Sequence, residues 1–406
     1  MAKKILVAPV GAKTVVPRVT GRLLVKIDAK AEVGGVLKGL KGVVLERLRV
    51  AVIEEESAGE LRQRAAVKGS PFILVEEERR LRKLVVERPF VDGRAATWGI
   101  QAVNVGKSAY TGKGVKMAVL DTGFDFTHKD FEGRTIHRKS FVGRQAIDKD
   151  GHGTHCAGIA GGNRAIAMVG AEGTRGKAAS PKDEKVKVKG KAGFRYGVAP
   201  GARLYIGKIL DDAGEGSDGS ALEGIEWALE KGCKVISMSL GAEPDERHSA
   251  IFEQVAQTVM GYGCLLVGAT GNDSKRGRMA PVNHPADCPS IVAVGALTAG
   301  MRVAEFSCGG AKGVRLGTAS GSTGDGQVDL VAPGENIVSA KVGGGYAAES
   351  GTSMAAPFVA GMAALLWEQY PNASAWEIWV RLVQNARRLP LAASAVGAGL
   401  VYTGVR

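Results

Sequence analysis

The sequence predicts an α/β protein in which a largely parallel sheet, with helices on both faces, follows a small α+β unit. Three observations carry that reading. From residue 95 onward, short and nearly all-apolar runs alternate with segments of helical spacing. Strands that are apolar on both faces belong to parallel sheets covered on both sides. Residues 1–80 have a different texture, with apolar runs broken by charges, and the 406-residue length suits two domains better than one core.

In the first unit, "RLLVKIDA" (22–29), "VVLERLRVAVIE" (43–54) and "PFILVEE" (71–77) read as strands. "ESAGELRQRAAV" (56–67) has helical spacing. The charged stretch "RRLRKLVVERPFVDGR" (79–94) reads as an exposed connector, which sets the domains at 1–80, a linker and processing region at 81–94, and 95–406. In the second unit the apolar runs are 115–120, 202–210, 233–240, 264–269 and 291–297. Helices are expected at 218–232 and 248–263, and the last one begins at "SAWE" (374–377), whose Ser and Glu have capping-box spacing. Residues 163–195 are rich in Gly, Lys and Ala without period and read as a basic surface insertion.

Composition excludes several classes. Apolar content is 45% and charged content 23%, ordinary for a soluble globular protein. No run approaches the length of a membrane span, and the start lacks an apolar signal core. A cytoplasmic protein is therefore expected, with secretion as the alternative. The five cysteines (Cys156, Cys233, Cys264, Cys288, Cys308) are odd in number and lack Cys-x-x-Cys spacing, so free buried thiols are expected rather than a disulfide framework or zinc site. Net charge is +13, of which residues 1–92 hold +7 and residues 163–195 hold +6. Neither segment carries a nucleic-acid motif, so solvated basic surfaces are expected, with no nucleic-acid or membrane partner.

The chemistry concentrates in a few motifs. In "GGGYAAESGTSMAAPFVAG" (343–361), Ser353 sits between glycines and small residues. That context fits a helix cap, and equally a nucleophile that a substrate backbone can approach. Pro357 lacks the N–H that would bond the carbonyl of Ser353, a cheap loss at a helix edge. Asp121 follows the apolar run 115–120, at the strand end where functional groups gather in open parallel sheets. "DGHGTHCAGIAGG" (150–162) supplies His152 and His155, with glycines on both sides of His152. Their spacing alone also fits a metal pair, but no His-Glu-x-x-His pattern is present. "GATGND" (268–273) places Asn272 after another apolar run, as a turn residue or an oxyanion donor.

Together, "VLDTGFD", "HGTHCAG", "SMSLG", "GATGND" and "GTSMAAP" in this order resemble the subtilisin-like serine peptidases over residues 95–402. The resemblance implies a serine endopeptidase with an acyl-enzyme intermediate and no cofactor for the chemistry. His155 would take the proton of Ser353, Asp121 would orient His155, and Asn272 with the Ser353 N–H would hold the oxyanion. Substrate would lie as a strand between Gly214, Glu215 and Gly216 on one side and Ser239, Leu240 and Gly241 on the other. Glu215 and Asp218 would favour basic residues about four before the cut. Asp130 matches one calcium ligand of the family, while Arg94 falls near another, so a structural calcium is only weakly indicated. Phe358 replaces a family histidine at a position expected to be packing. Through "FILVEEE" (72–78), the first unit resembles the family's propeptide, which implies a zymogen whose N-terminal domain inhibits it and is cut away between about Leu84 and Gly93. The competing reading is an inactive binding protein that keeps the fold.

Overall fold

An antiparallel sheet in the first unit takes in two short strands of the second, which carries a separate seven-stranded parallel sheet. The computed structural model describes residues 19–83, 96–163, 193–245, 247–310 and 326–404. The expected cut window and nearly all of the basic insertion lie outside the described residues.

The first unit runs β1 (Val19–Ile27), α1 (Val33–Val36), β2 (Gly42–Leu45), β3 (Val50–Ile53), α2 (Glu55–Ala65) and β4 (Phe72–Lys83). Its strands lie in the order β4-β1-β3-β2 and pair antiparallel. The alternation of β1 sends Leu23, Val25 and Ile27 to a core with Ile53, Leu61 and Phe72. Leu24, Val50 and Val52 face the other way, into the core of the second unit. The expected single strand at 43–54 is instead the β2–β3 hairpin. Its turn holds Arg49 at φ 52° and buries Leu48, a reversal that an unbroken apolar-and-charged run does not announce.

The second unit contains α3 (Trp98–Ala102), β5 (Lys116–Asp121), β6 (His137–Ser140), α4 (His152–Gly161), β7 (Arg203–Lys208), β8 (Glu215–Ser217), α5 (Asp218–Glu230), β9 (Val235–Met238) and β10 (Leu240–Gly241). It continues with α6 (Ala250–Gly261), β11 (Leu265–Ala269), β12 (Val292–Leu297), β13 (Leu330–Pro333), β14 (Ile337–Ala340), β15 (Tyr346–Glu349), α7 (Thr352–Gln369), α8 (Ala375–Asn385) and α9 (Ala393–Val396). Seven strands form one sheet in the order β13-β12-β11-β9-β5-β7-β6, every pair parallel. One face packs on α4 and α7, the other on α5 and α6. The capping box expected at Ser374 and Glu377 starts α8. Phe194 is fully buried, so the basic segment rejoins the core before the boundary expected at 195. All five cysteines are free and buried. Among the described residues, no helix is long and apolar enough to cross a membrane.

The first unit docks by capping helices of the second. Glu76 Oε1 accepts the N–H groups of Ala250 (2.8 Å) and Ile251 (3.2 Å) at the start of α6. Buried Glu78 accepts the Gly219 N–H at the start of α5 and pairs with Arg22 (2.7 Å). Carboxylates there satisfy orphan donors and complement the helix dipole. Beyond Arg79, β4 parts from β1 and runs between β8 and β10. The expected boundary at 80 and the exposed connector after it are therefore corrected: the strand runs on to Lys83, and Leu81 is 1% exposed. Its partners belong to the other unit, which local pattern does not reveal.

Candidate active site

Asp121 ends β5, His152 opens α4, Asn272 follows β11 and Ser353 is the second residue of α7. All stand at the carboxyl edge of the parallel sheet or at a helix mouth beside it. His152 Nδ1 donates to Asp121 Oδ1 at 2.7 Å, with both side chains buried. Burial opposes a charged imidazole, but the adjacent Asp121 carboxylate outweighs it and raises the His152 pKa well above its ordinary value.

The expectation for His155 is corrected by this geometry. His155 lies one turn further into α4, where Nε2 donates to Ala347 O of β15 (3.1 Å) and its carbonyl accepts from Ser339 Oγ of β14 (2.7 Å). Burial lowers its pKa, so it is a neutral packing residue between a helix and a hairpin. Of the two histidines, only His152, the first residue of the helix, bonds to the end of β5.

A second carboxylate sets that helix mouth. Asp148 accepts from Gly151 N (2.8 Å), Thr154 N (2.8 Å), Thr154 Oγ1 (2.7 Å) and Thr122 Oγ1 (2.9 Å). Thr122 in turn accepts from Gly153 N (2.9 Å), and its own N–H donates to Asp121 Oδ1 (2.7 Å). Gly153 is needed there, since a Cβ would lie 2.3 Å from the Gly123 carbonyl. The Asp121–His152 pair is thus held from both sides. Asp148 carried no signal in sequence beyond its place just before the histidine motif.

Ser353 Oγ donates to Ser239 O (3.1 Å). The Ser353 carbonyl, freed by Pro357 as expected, accepts from Ser239 Oγ (2.7 Å) and Cys156 Sγ (3.4 Å). The Cys156 sulfur also lies 3.9 Å from His152 Nε2, and burial pushes its thiol up to about 11, so it remains a neutral thiol under the imidazole. Asn272 Oδ1 accepts from Thr352 N (2.9 Å) and Thr352 Oγ1 (3.0 Å). Those bonds fix the amide and leave Nδ2 buried without a partner. An unspent buried donor costs stability unless something else uses it. Phe358 is fully buried, as expected of a packing position.

The groove is occupied by β4. Arg80, Leu81 and Arg82 pair antiparallel with Ser217, Gly216 and Glu215, while Arg82 and Lys83 pair with Gly241 and Leu240. The two expected walls thus flank a strand of the chain itself. Gly214 stands outside the pairing, in the preceding turn at φ 78°, and Ser217 joins it. Asp218 does not open into an acidic end of this groove. It is fully buried, with Oδ1 bonded to His284 Nε2 (2.8 Å) and Oδ2 accepting the Arg79 N–H (2.8 Å). Burial works against charge on His284, but Asp218 and Asp287 raise it to about 9.

The calcium role expected of Asp130 does not fit its surroundings. Its Oδ2 accepts from Tyr196 (2.8 Å) and Tyr346 (2.8 Å). Among the described residues, the clusters able to hold a metal are Asp121–His152–Cys156 and His284–Asp287–Cys288. Imidazole and thiol donors suit softer ions than calcium, which takes six or more oxygens.

Fold and site together define a serine-type endopeptidase. The profile of the Subtilase family matches residues 112–399, and the chain belongs to that family. It is 32% identical to Subtilisin E of Bacillus subtilis over 369 residues, 90% of this chain and 81% of that one. It is 35% identical to Subtilisin Savinase of Lederbergia lenta over 314 residues, 76% of this chain and 97% of that one. A thermostable alkaline protease of Halalkalibacterium halodurans is 34% identical over 313 residues, 76% of this chain and 72% of that one. The likeness to Subtilisin E is too long to be confined to the second unit, so it takes in part of the first.

Proposed function

We propose that this chain is an autoprocessing zymogen that hydrolyses protein substrates through Asp121, His152 and Ser353, with Asn272 as an oxyanion donor. The buried 2.7 Å Asp121–His152 bond at the mouth of α4 carries the reading. Asp121 fixes the imidazole with its proton on Nδ1, so Nε2 is the basic nitrogen. Ser353 Oγ turns its proton from Ser239 O to Nε2 and attacks the peptide carbonyl. The imidazolium, stabilised by Asp121, then protonates the leaving amine. The oxyanion meets Asn272 Nδ2 and the Ser353 N–H. That N–H belongs to the first turn of α7, whose amides lack intrahelical acceptors.

The first unit acts as the inhibitor of this site. Its last described residues occupy the groove as a paired strand, the way an extended peptide adds to exposed sheet edges. Helix caps from Glu76 and Glu78 anchor it, so cutting its connection need not release it.

Incubating purified wild type and Ser353→Ala in parallel tests the reading. Wild type should lose its N-terminal unit and label with a fluorophosphonate; Ser353→Ala should stay intact and unlabelled. A wild-type chain that remains whole, or that is cut equally well without Ser353, overturns it.

A further inference from the structure

We propose that His284, Asp287 and Cys288 form a zinc site, apart from the catalytic residues and behind the surface on which the first unit sits. The three belong to one short segment, "NHPADC" (283–288), between β11 and β12. The Asp287 N–H bonds the Asn283 carbonyl (3.0 Å) and the Cys288 N–H bonds the Pro285 carbonyl (3.1 Å), which folds the segment into a tight turn. All three side chains are buried, and their imidazole, carboxylate and thiol donor atoms lie within 4.8 Å of one another.

Spacing separates this cluster from the one at the catalytic histidine. Two nitrogen or oxygen ligands of one tetrahedral zinc, at bonds of about 2.1 Å, stand about 3.4 Å apart, and a sulfur ligand stands about 3.6 Å from either. His284 Nδ1 and Asp287 Oδ1 are 3.6 Å apart, and Cys288 Sγ is 4.0 Å from the same Oδ1. These gaps are too wide for strong hydrogen bonds and close to those of a chelate. His152 Nδ1 and Asp121 Oδ1, at 2.7 Å, are bonded to each other and leave no place for an ion between them.

The imidazole is already oriented for such an ion. Its Nε2 donates to Asp218 Oδ1 (2.8 Å), and the Phe252 ring packs edge-on against it at 4.8 Å between centroids, which fixes the ring. Nδ1 is left facing Asp287, buried without a hydrogen-bond partner. A buried polar atom in that state costs stability unless a ligand takes it up. A carboxylate on the far nitrogen is the usual support of a metal-bound histidine. The mixed nitrogen, oxygen and sulfur set suits zinc rather than calcium or magnesium. Binding releases the protons of Nδ1 and of the Cys288 thiol to solvent, and three protein ligands leave the fourth tetrahedral position to water.

Two contacts join the site to the docked unit. Asp218 Oδ2 accepts the Arg79 N–H (2.8 Å). Ser249, whose carbonyl is 3.8 Å from Cys288 Sγ, caps α6 and donates its hydroxyl to Glu76.

The test uses untagged Ser353→Ala, which keeps the chain whole, produced with zinc and, in parallel, with cobalt in the medium. Elemental analysis should find about one zinc per chain. The cobalt form should show a thiolate-to-cobalt charge-transfer band. Adding Cys288→Ser should remove that band, and adding Cys156→Ser should leave it. Asp218→Asn, which keeps an oxygen toward His284, should lower zinc affinity about 10–100-fold in competition with a chelating dye. A Ser353→Ala chain with neither zinc nor the thiolate band overturns the proposal, whether or not the further variants fold. A band that survives Cys288→Ser, or that is lost in a folded Cys156→Ser, places the ion elsewhere and overturns it as well. So does an Asp218→Asn chain that binds zinc as tightly as its parent.

Discussion

Replacing Asn272 by Leu should produce two separable losses. Leu is close in size but can neither donate from Nδ2 nor accept at Oδ1. The donor is unspent in the present state, so its removal costs nothing there and appears only when the oxyanion forms. Removing one such donor typically lowers kcat about 10²–10³-fold, roughly 2.7–4 kcal/mol, with KM little changed. The acceptor is spent on Thr352 N at 2.9 Å and Thr352 Oγ1 at 3.0 Å. Its loss orphans a buried amide at the start of α7 and should cost about 1–3 kcal/mol of stability. Steady-state kinetics on a short peptide reads the first effect, and thermal unfolding in a Ser353→Ala background reads the second without autolysis. Thr352→Val separates them, because it loses one bond to Oδ1 and the one its Oγ1 accepts from Gly271 N (3.0 Å), while the Thr352 N–H still holds Asn272 Oδ1. It should lower stability modestly and kcat less than tenfold. Asn272→Leu with lowered stability but near wild-type kcat would make Asn272 a helix-capping residue and remove it from the mechanism.

Two predictions concern pH. Asp121 raises the His152 pKa, and the base must be neutral, so activity is lost as pH falls through that raised value. The acid limb of kcat/KM should therefore lie above the ordinary imidazole value of about 6.5. Asp121→Asn should move the limb down while lowering kcat about 10⁴-fold, and an unmoved limb refutes the pairing. Asp329 accepts the Ala293 N–H at 2.8 Å, and burial raises its pKa to about 7. Its native state binds a proton more tightly than the unfolded chain, so its contribution is full below about pH 4 and is lost as pH rises to about 7. In the Ser353→Ala background, Asp329→Asn should match the parent Tm near pH 4 and exceed it at pH 8; parallel curves would refute the assignment.

Much of this was legible in the residues. The buried parallel strands announced themselves because both of their faces are apolar, and Asp121, Asn272 and Ser353 because each follows such a strand or opens a helix. Sequence does not by itself separate His152 from His155, because two imidazoles three apart offer the same chemistry. The criterion that selected Ser353, a place in the first turn of its helix, selects His152 as well, and the flanking glycines agree. What sequence could not supply were long-range partners. Leu81 in a charged run reads as linker until β8 and β10 close around it. Asp218 reads as an acidic group of the groove until His284, 66 positions away, is found bonded to it. Asp130 reads as a cation ligand until two tyrosyl hydroxyls occupy its oxygen.

The assignment of the base is tested most directly by comparing His152→Gln with His155→Gln, measuring fluorophosphonate labelling of Ser353 and peptide hydrolysis. His152→Gln should abolish labelling and lower kcat by about 10⁴-fold or more, since triad members act as a unit. His155→Gln can still reach the Ala347 carbonyl with its side-chain amide; it should label and turn over near the wild-type rate, with only its Tm lowered. Full labelling and turnover in His152→Gln, with both lost in a folded His155→Gln, would contradict the account.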